Sequence, residues 1–140
     1  MIKSLSNCSK ITIVPKDIPI DVYAALIDFC DVFVTSDTGT MHIAAARKFS
    51  ESGGQLRNKT AVFSIFGATS ARMYGYDSYN SHFLNPGQDA PSKLYISNAV
   101  CRNLTCVNKK AKKCKKIRCF EGINEFEVAK DIINYLSKEQ

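Results

Sequence analysis

Hydrophobic residues along the chain fall alternately in short β-branched runs and in stretches with helical spacing. The run at 60–66 is almost wholly apolar, which is typical of a strand buried on both faces. Strands are predicted at 10–14, 31–35, 60–66 and 94–96. Helices are predicted at 20–29, 41–49 and 124–138. Asn124 is the expected N-cap of the last helix, with Glu127 completing a capping box.

The order of these elements predicts an α/β protein, built on a parallel sheet with right-handed crossovers. A length of 140 residues suits one domain over 1–140, with a Cys- and Lys-rich loop segment at 97–122. About four strands make a thin sheet. Because an exposed edge strand invites pairing, a second copy or a partner chain is a candidate partner.

Composition and charge narrow the class of protein. A hydrophobic fraction of 45% with 23% charged residues excludes disorder over most of the chain. The sequence has no apolar run of membrane-spanning length and no apolar leader. Because six cysteines occur without a secretion signal, we expect them to be reduced and the protein to be cytoplasmic. Of the 19 basic residues, eight lie in 102–118, which leaves 11 against 13 acidic residues elsewhere. The basic character is therefore local.

Two loops leave the carboxyl ends of predicted strands, where parallel sheets bind ligands, at 36–42 and 67–74. In the first, backbone N–H groups of a helix start would form an anion site. These groups belong to Thr38, Gly39, Thr40 and Met41, and Gly39 permits close approach. His42 adds a donor for phosphate oxygen, and Asp37 suits sugar hydroxyls. The alternative is that Asp37 or Thr38 only caps the helix and His42 packs in the core.

The sequence DVFVTSDTGTMHIAAA at 31–46 resembles the Asp-Thr-Gly-x-x-His motif of glycosyltransferase family 9, the ADP-heptose:lipopolysaccharide heptosyltransferases. VFSIFGATS at 62–70 is similar to the strand and loop that follow the motif in that family, and the resemblance extends over about 11–136. Ala68 and Tyr76 stand where the family usually has proline. The connection at 49–59 is also longer than the family's tight turn.

The resemblance implies part of the C-terminal, nucleotide-sugar-binding domain of a GT-B fold, with a Rossmann-like sheet and flanking helices. It implies that the loop at 38–40 and His42 hold the diphosphate of an ADP-linked sugar, and that Asp37 contacts the sugar. The family reaction is inverting glycosyl transfer to a lipid-linked saccharide at the inner face of the bacterial inner membrane, without a required cofactor. The matching part lacks the acceptor domain with its general base, so we expect the chain alone to be incomplete for catalysis.

Arg72, after the third predicted strand, is a further candidate phosphate ligand, with a surface salt bridge as the alternative. Four cysteines precede the last helix at spacings of four, seven and four residues, and four thiolates can hold zinc. They are Cys101, Cys106, Cys114 and Cys119. The alternative is that these cysteines are reduced or form incidental disulfides.

The lysine-rich stretch at 109–118 has three interpretations: phosphate binding in nucleic acid, contact with anionic lipid or lipopolysaccharide, or a solvated loop. No aromatic residue interleaves its lysines, which disfavours binding of single-stranded nucleic acid, and nucleic acid is not the favoured partner. The second functional hypothesis for the chain is thus a non-enzymatic, zinc-stabilised basic module that binds nucleic acid or anionic surfaces.

Overall fold

The structure, a computed structural model, describes residues 11–47, 60–76, 92–97 and 118–138. Its strands are β1 (Val32–Ser36), β2 (Ala61–Phe66) and β3 (Ser92–Ile96). Its α-helices are α1 (Ile20–Asp28), α2 (Gly39–Arg47), α3 (Ala71–Tyr74) and α4 (Glu125–Leu136). A 3-10 turn at Arg118–Phe120 precedes α4. The predicted helices and the last three predicted strands are present, with ends that differ by up to two residues where both ends are described.

The three strands form one parallel sheet in the order β1-β2-β3. Val34 is paired with Phe63, and Phe63 in turn with Lys93, so β2 is central. Helices pack on this sheet, and the architecture is the predicted α/β, Rossmann-like arrangement of a parallel sheet with flanking helices. Among the described helices, none is long and apolar enough to cross a membrane.

Strand β2 divides the core because alternate side chains point to opposite faces of the sheet. Ala61 and Phe63 pack with Tyr95 and with Val128 of α4. Val62, on the other face, packs against α1 and α2. Phe66 is fully buried with Met41 and Ala71, at the end of the sheet from which the loops emerge. This third cluster anchors the loops that carry the candidate site.

The predicted strand at 10–14 is wrong, because residues 11–15 have no regular structure. Its apolar side chains Ile11, Ile13 and Val14 are exposed. A β-branched run becomes a strand only where a neighbouring strand supplies ladder hydrogen bonds and a face to pack on. In the described part of the chain, β1 has β2 as its only neighbour and nothing pairs with this run.

Candidate functional site

The loop after β1 turns directly into α2, which begins at Gly39. The amide of Met41 donates to the carbonyl of Thr38 at 3.0 Å, closing the first turn. Within the described residues, the amides of Gly39 and Thr40 have no hydrogen-bond acceptor. A Cβ placed on Gly39 would meet nothing within 4 Å, so the backbone is open on that side. Two unpaired amides therefore point out of the first turn of the helix.

Three threonine hydroxyls order this turn from within. Thr40 Oγ1 lies 2.8 Å from Thr38 Oγ1 and 3.1 Å from Thr35 Oγ1. Thr38 and Thr35 each donate to the carbonyl of Ser36. In the described structure neither Asp37 nor Thr38 accepts a hydrogen bond from a helix amide, so neither is a side-chain cap of α2.

His42 lies one turn into α2, where it is held on two sides. Its Nδ1 is 3.0 Å from the Tyr76 hydroxyl, and the two rings meet edge to face with centroids 5.6 Å apart. Its Nε2 is 3.9 Å from Asp37 Oδ1, a distance at which the two attract when the imidazole is charged. The imidazole side chain is 44% exposed while Asp37 is 13% exposed, so His42 is not a core histidine.

An open groove of about 530 Å³ borders the first turn of α2. Gly39 and Thr40 line it together with Lys16 and apolar side chains that include Val14, Ile18 and Tyr23. Asp37 and His42 lie outside this lining. Gly39 and His42 are three residues apart and thus share one face of the helix. A ligand that touches the groove and His42 together must extend along that face.

The remaining candidates stand apart from this arrangement. Met41 is fully buried in the core, and its amide is already engaged by Thr38. Arg72 is exposed on α3, and no described acidic group pairs with it. Tyr76 lies just after α3, and in the sequence it stands out only as a residue at a position where the family usually has proline. Its contact with His42 is visible only in the structure.

The four-cysteine hypothesis is not decided by the described residues. Cys119 is half-buried in the 3-10 turn, whereas Cys101, Cys106 and Cys114 lie outside the described residues. The lysines at 109–116 also lie outside them. Within the described ranges no group of three or more potential metal ligands occurs. The zinc site and the basic module stay predictions.

Comparison with known proteins agrees with the motif around this site. The family model for glycosyltransferase family 9 (heptosyltransferase) matches residues 2–111. The match contains β1, the loop with Asp37 and His42, and all of α2. No curated protein and no solved structure matches the chain significantly. Since the family model covers more than three quarters of the 140 residues, the chain belongs to glycosyltransferase family 9.

Proposed function

We propose that the chain binds the diphosphate of a nucleotide-sugar donor, ADP-linked and heptose-like, for glycosyl transfer in the synthesis of lipopolysaccharide or a related glycan. The observation that carries this proposal is the pair of unpaired amides at Gly39 and Thr40, which border a groove of about 530 Å³. Membership of the family supports the substrate class, a sugar donor with an acceptor.

The first turn of α2 suits an anion for two reasons. Its unpaired N–H groups are donors, and the helix dipole places partial positive charge at this end. The Nε2 atom of His42 adds a donor nearby, whereas the single hydroxyl protons of Thr38 and Thr40 are used within the turn. The positive charge of Lys16, which also lines the groove, favours the same ligand.

Asp37 has a different task in this proposal. A carboxylate repels phosphate, and Asp37 stands next to His42 rather than in the groove. Its oxygens accept hydrogen bonds from sugar hydroxyls, which carry no charge. The apolar walls at Val14, Ile18 and Tyr23 suit the faces of a nucleobase or ribose.

The chemical contribution of these residues is to stabilise the leaving group. In an inverting transfer, negative charge develops on the departing diphosphate, and preorganised amides lower the energy of that state without moving. We assign the deprotonation of the acceptor hydroxyl to the acceptor domain of the family's two-domain architecture. We therefore propose that this chain supplies the donor-binding step, at the cytoplasmic face of the inner membrane where a lipid-linked acceptor is presented.

Thermal unfolding with and without ADP tests the proposal. A ligand at about 100 times its Kd stabilises the folded state by about 2.7 kcal/mol, so millimolar ADP is expected to raise the Tm. His42→Ala, which removes a hydrogen-bond donor beside the first turn of α2, is expected to reduce this shift. Glu125→Ala, which removes an exposed carboxylate from α4, is the matched control and is expected to keep it. A wild-type Tm that does not change with millimolar ADP contradicts donor binding.

A further inference from the structure

Tyr76 is fixed in place before any ligand arrives. Its ring packs beside the buried cluster of Met41, Phe66 and Ala71. The residue before it, Gly75, is equally constrained, since its amide donates to the carbonyl of Ala71 at 2.8 Å. The packing of the ring and the hydrogen bond of Gly75 therefore fix the Tyr76 hydroxyl next to His42.

The contact between this hydroxyl and His42 is linked to the tautomer of the imidazole, because the hydroxyl can donate to Nδ1 or accept from it. A neutral imidazole carries its proton on one nitrogen and accepts at the other. When the Tyr76 hydroxyl donates to Nδ1 at 3.0 Å, the proton must sit on Nε2. The neighbouring carboxylate of Asp37, 3.9 Å from Nε2, favours a proton at the same atom. That distance is too long for a hydrogen bond, so the Nε2–H group remains a donor for a ligand.

We propose that Tyr76 is a positioning residue that holds neutral His42 as the Nε2–H tautomer, so that the histidine donates to an anionic ligand oxygen without being charged. The effect on ligand binding rests on the proposed function above, whereas the tautomer does not. When the imidazole is doubly protonated, Nε2 carries a proton in any case and Nδ1–H donates to the tyrosine oxygen instead. Tyr76 thus matters for donation at Nε2 only while His42 is neutral.

Tyr76→Phe removes the hydroxyl and keeps the ring that packs on the core. Two-bond nitrogen–proton NMR of the ligand-free protein reports the tautomer directly, and the His42 signal is assigned by its loss in His42→Ala. We expect Nε2–H in the wild type and a mixture of tautomers in Tyr76→Phe. Tyr74→Phe, which alters an exposed tyrosine two residues away, is the control and should retain the wild-type tautomer.

Calorimetric titration with ADP supplies the second readout. Of the described residues, the titratable groups that face His42 are Asp37 and Tyr76. At a pH where the NMR spectrum shows His42 to be neutral, Tyr76→Phe is expected to weaken ADP binding about threefold to tenfold. At a pH where the spectrum shows both ring nitrogens protonated, the two proteins should bind alike. A merely structural role would reduce the affinity at both pH values.

The two proposals fail separately. Nδ1–H in the wild type, or an unchanged tautomer in Tyr76→Phe, overturns the positioning role whatever ADP does. Equal loss of affinity at both pH values also overturns it. If the wild type shows the Nε2–H tautomer, Tyr76→Phe disturbs it and neither protein binds ADP, the positioning role is supported and the donor-binding proposal fails.

Discussion

The hydroxyl of Tyr95 lies 2.8 Å from Oδ2 of Asp131, and this contact joins strand β3 to helix α4. Lys93 donates to the same carboxylate oxygen. The hydrogen bond from Lys93, and after it the one from Tyr95, lowers the pKa of Asp131. Burial, and then the bond to Asp131, raises the pKa of Tyr95 well above its usual range. One ionised carboxylate thus adds polar contacts between the sheet and the last helix to the apolar packing of Val128.

We expect Asp131→Asn to lower the free energy of unfolding at pH 7 by about 1 kcal/mol, because a partly exposed charged hydrogen bond is lost. The folded-state pKa of Asp131 is below its unfolded value of about 3.9, so its contribution is full above that value. The contribution is lost as the pH falls through the lower folded pKa.

Denaturant unfolding at a series of pH values checks this. The difference between wild type and Asp131→Asn should shrink from about pH 5 to about pH 2. Asp17→Asn, in an exposed turn, is the control and should leave the curve unchanged. A difference that stays constant over the acid range would show that the carboxylate charge is not what joins β3 to α4.

Substitution by alanine should affect ligand binding at Gly39 and stability at Gly75. Gly39→Ala is expected to keep the stability of the protein, since its Cβ meets nothing within 4 Å. The same Cβ would keep a phosphate away from the amides, so binding of ADP should weaken by tenfold or more, about 1.4 kcal/mol. Calorimetry and a melting curve measure both effects on one sample.

Gly75→Ala is the counterpart. Its Cβ would press against the backbone carbonyl of Ala71 and the side chain of Leu94, and overpacking of this kind costs about 1–3 kcal/mol. We expect a lower Tm for Gly75→Ala. If Gly39→Ala binds ADP as the wild type does, the first turn of α2 is not the diphosphate site.

Asn124→Ala is expected to destabilise the protein by about 1 kcal/mol, because the N-cap of α4 is lost. The Asn124 side chain accepts hydrogen bonds from the amides of Phe126 and Glu127. Asn134→Ala, at an exposed position within the same helix, removes an identical side chain without touching a cap. Chemical denaturation of both variants gives the comparison, and equal stabilities would exclude a capping role for Asn124.

The cap of α4 and the buried strand β2 show how much of the fold could be predicted from the sequence. Each depends on residues that are neighbours along the chain: an Asn directly before the first helical turn, or a run of apolar residues between polar loops. Within the described residues, the Glu127 side chain makes no hydrogen bond to the Asn124 amide, so the second half of the predicted capping box is not present. The predicted strand at 10–14 had the same kind of local pattern and was wrong. A strand requires a partner, and partner choice is not encoded in the run itself.

The long helices, the last three strands, their parallel pairing and the family could be predicted from the sequence, because hydrophobic periodicity and the Asp-Thr-Gly-x-x-His motif are local features. The short helix α3 and the irregular segment at 11–15 could not. Only the tertiary structure placed Tyr76 against His42, 34 residues away along the chain. It also showed that the amide of Met41 donates to Thr38, while the amides of Gly39 and Thr40 have no acceptor within the described residues.

The physical reason is the range of the interactions. Periodicity specifies which face of an element is buried, but the packing of Phe66, Met41 and Ala71 decides which loops meet.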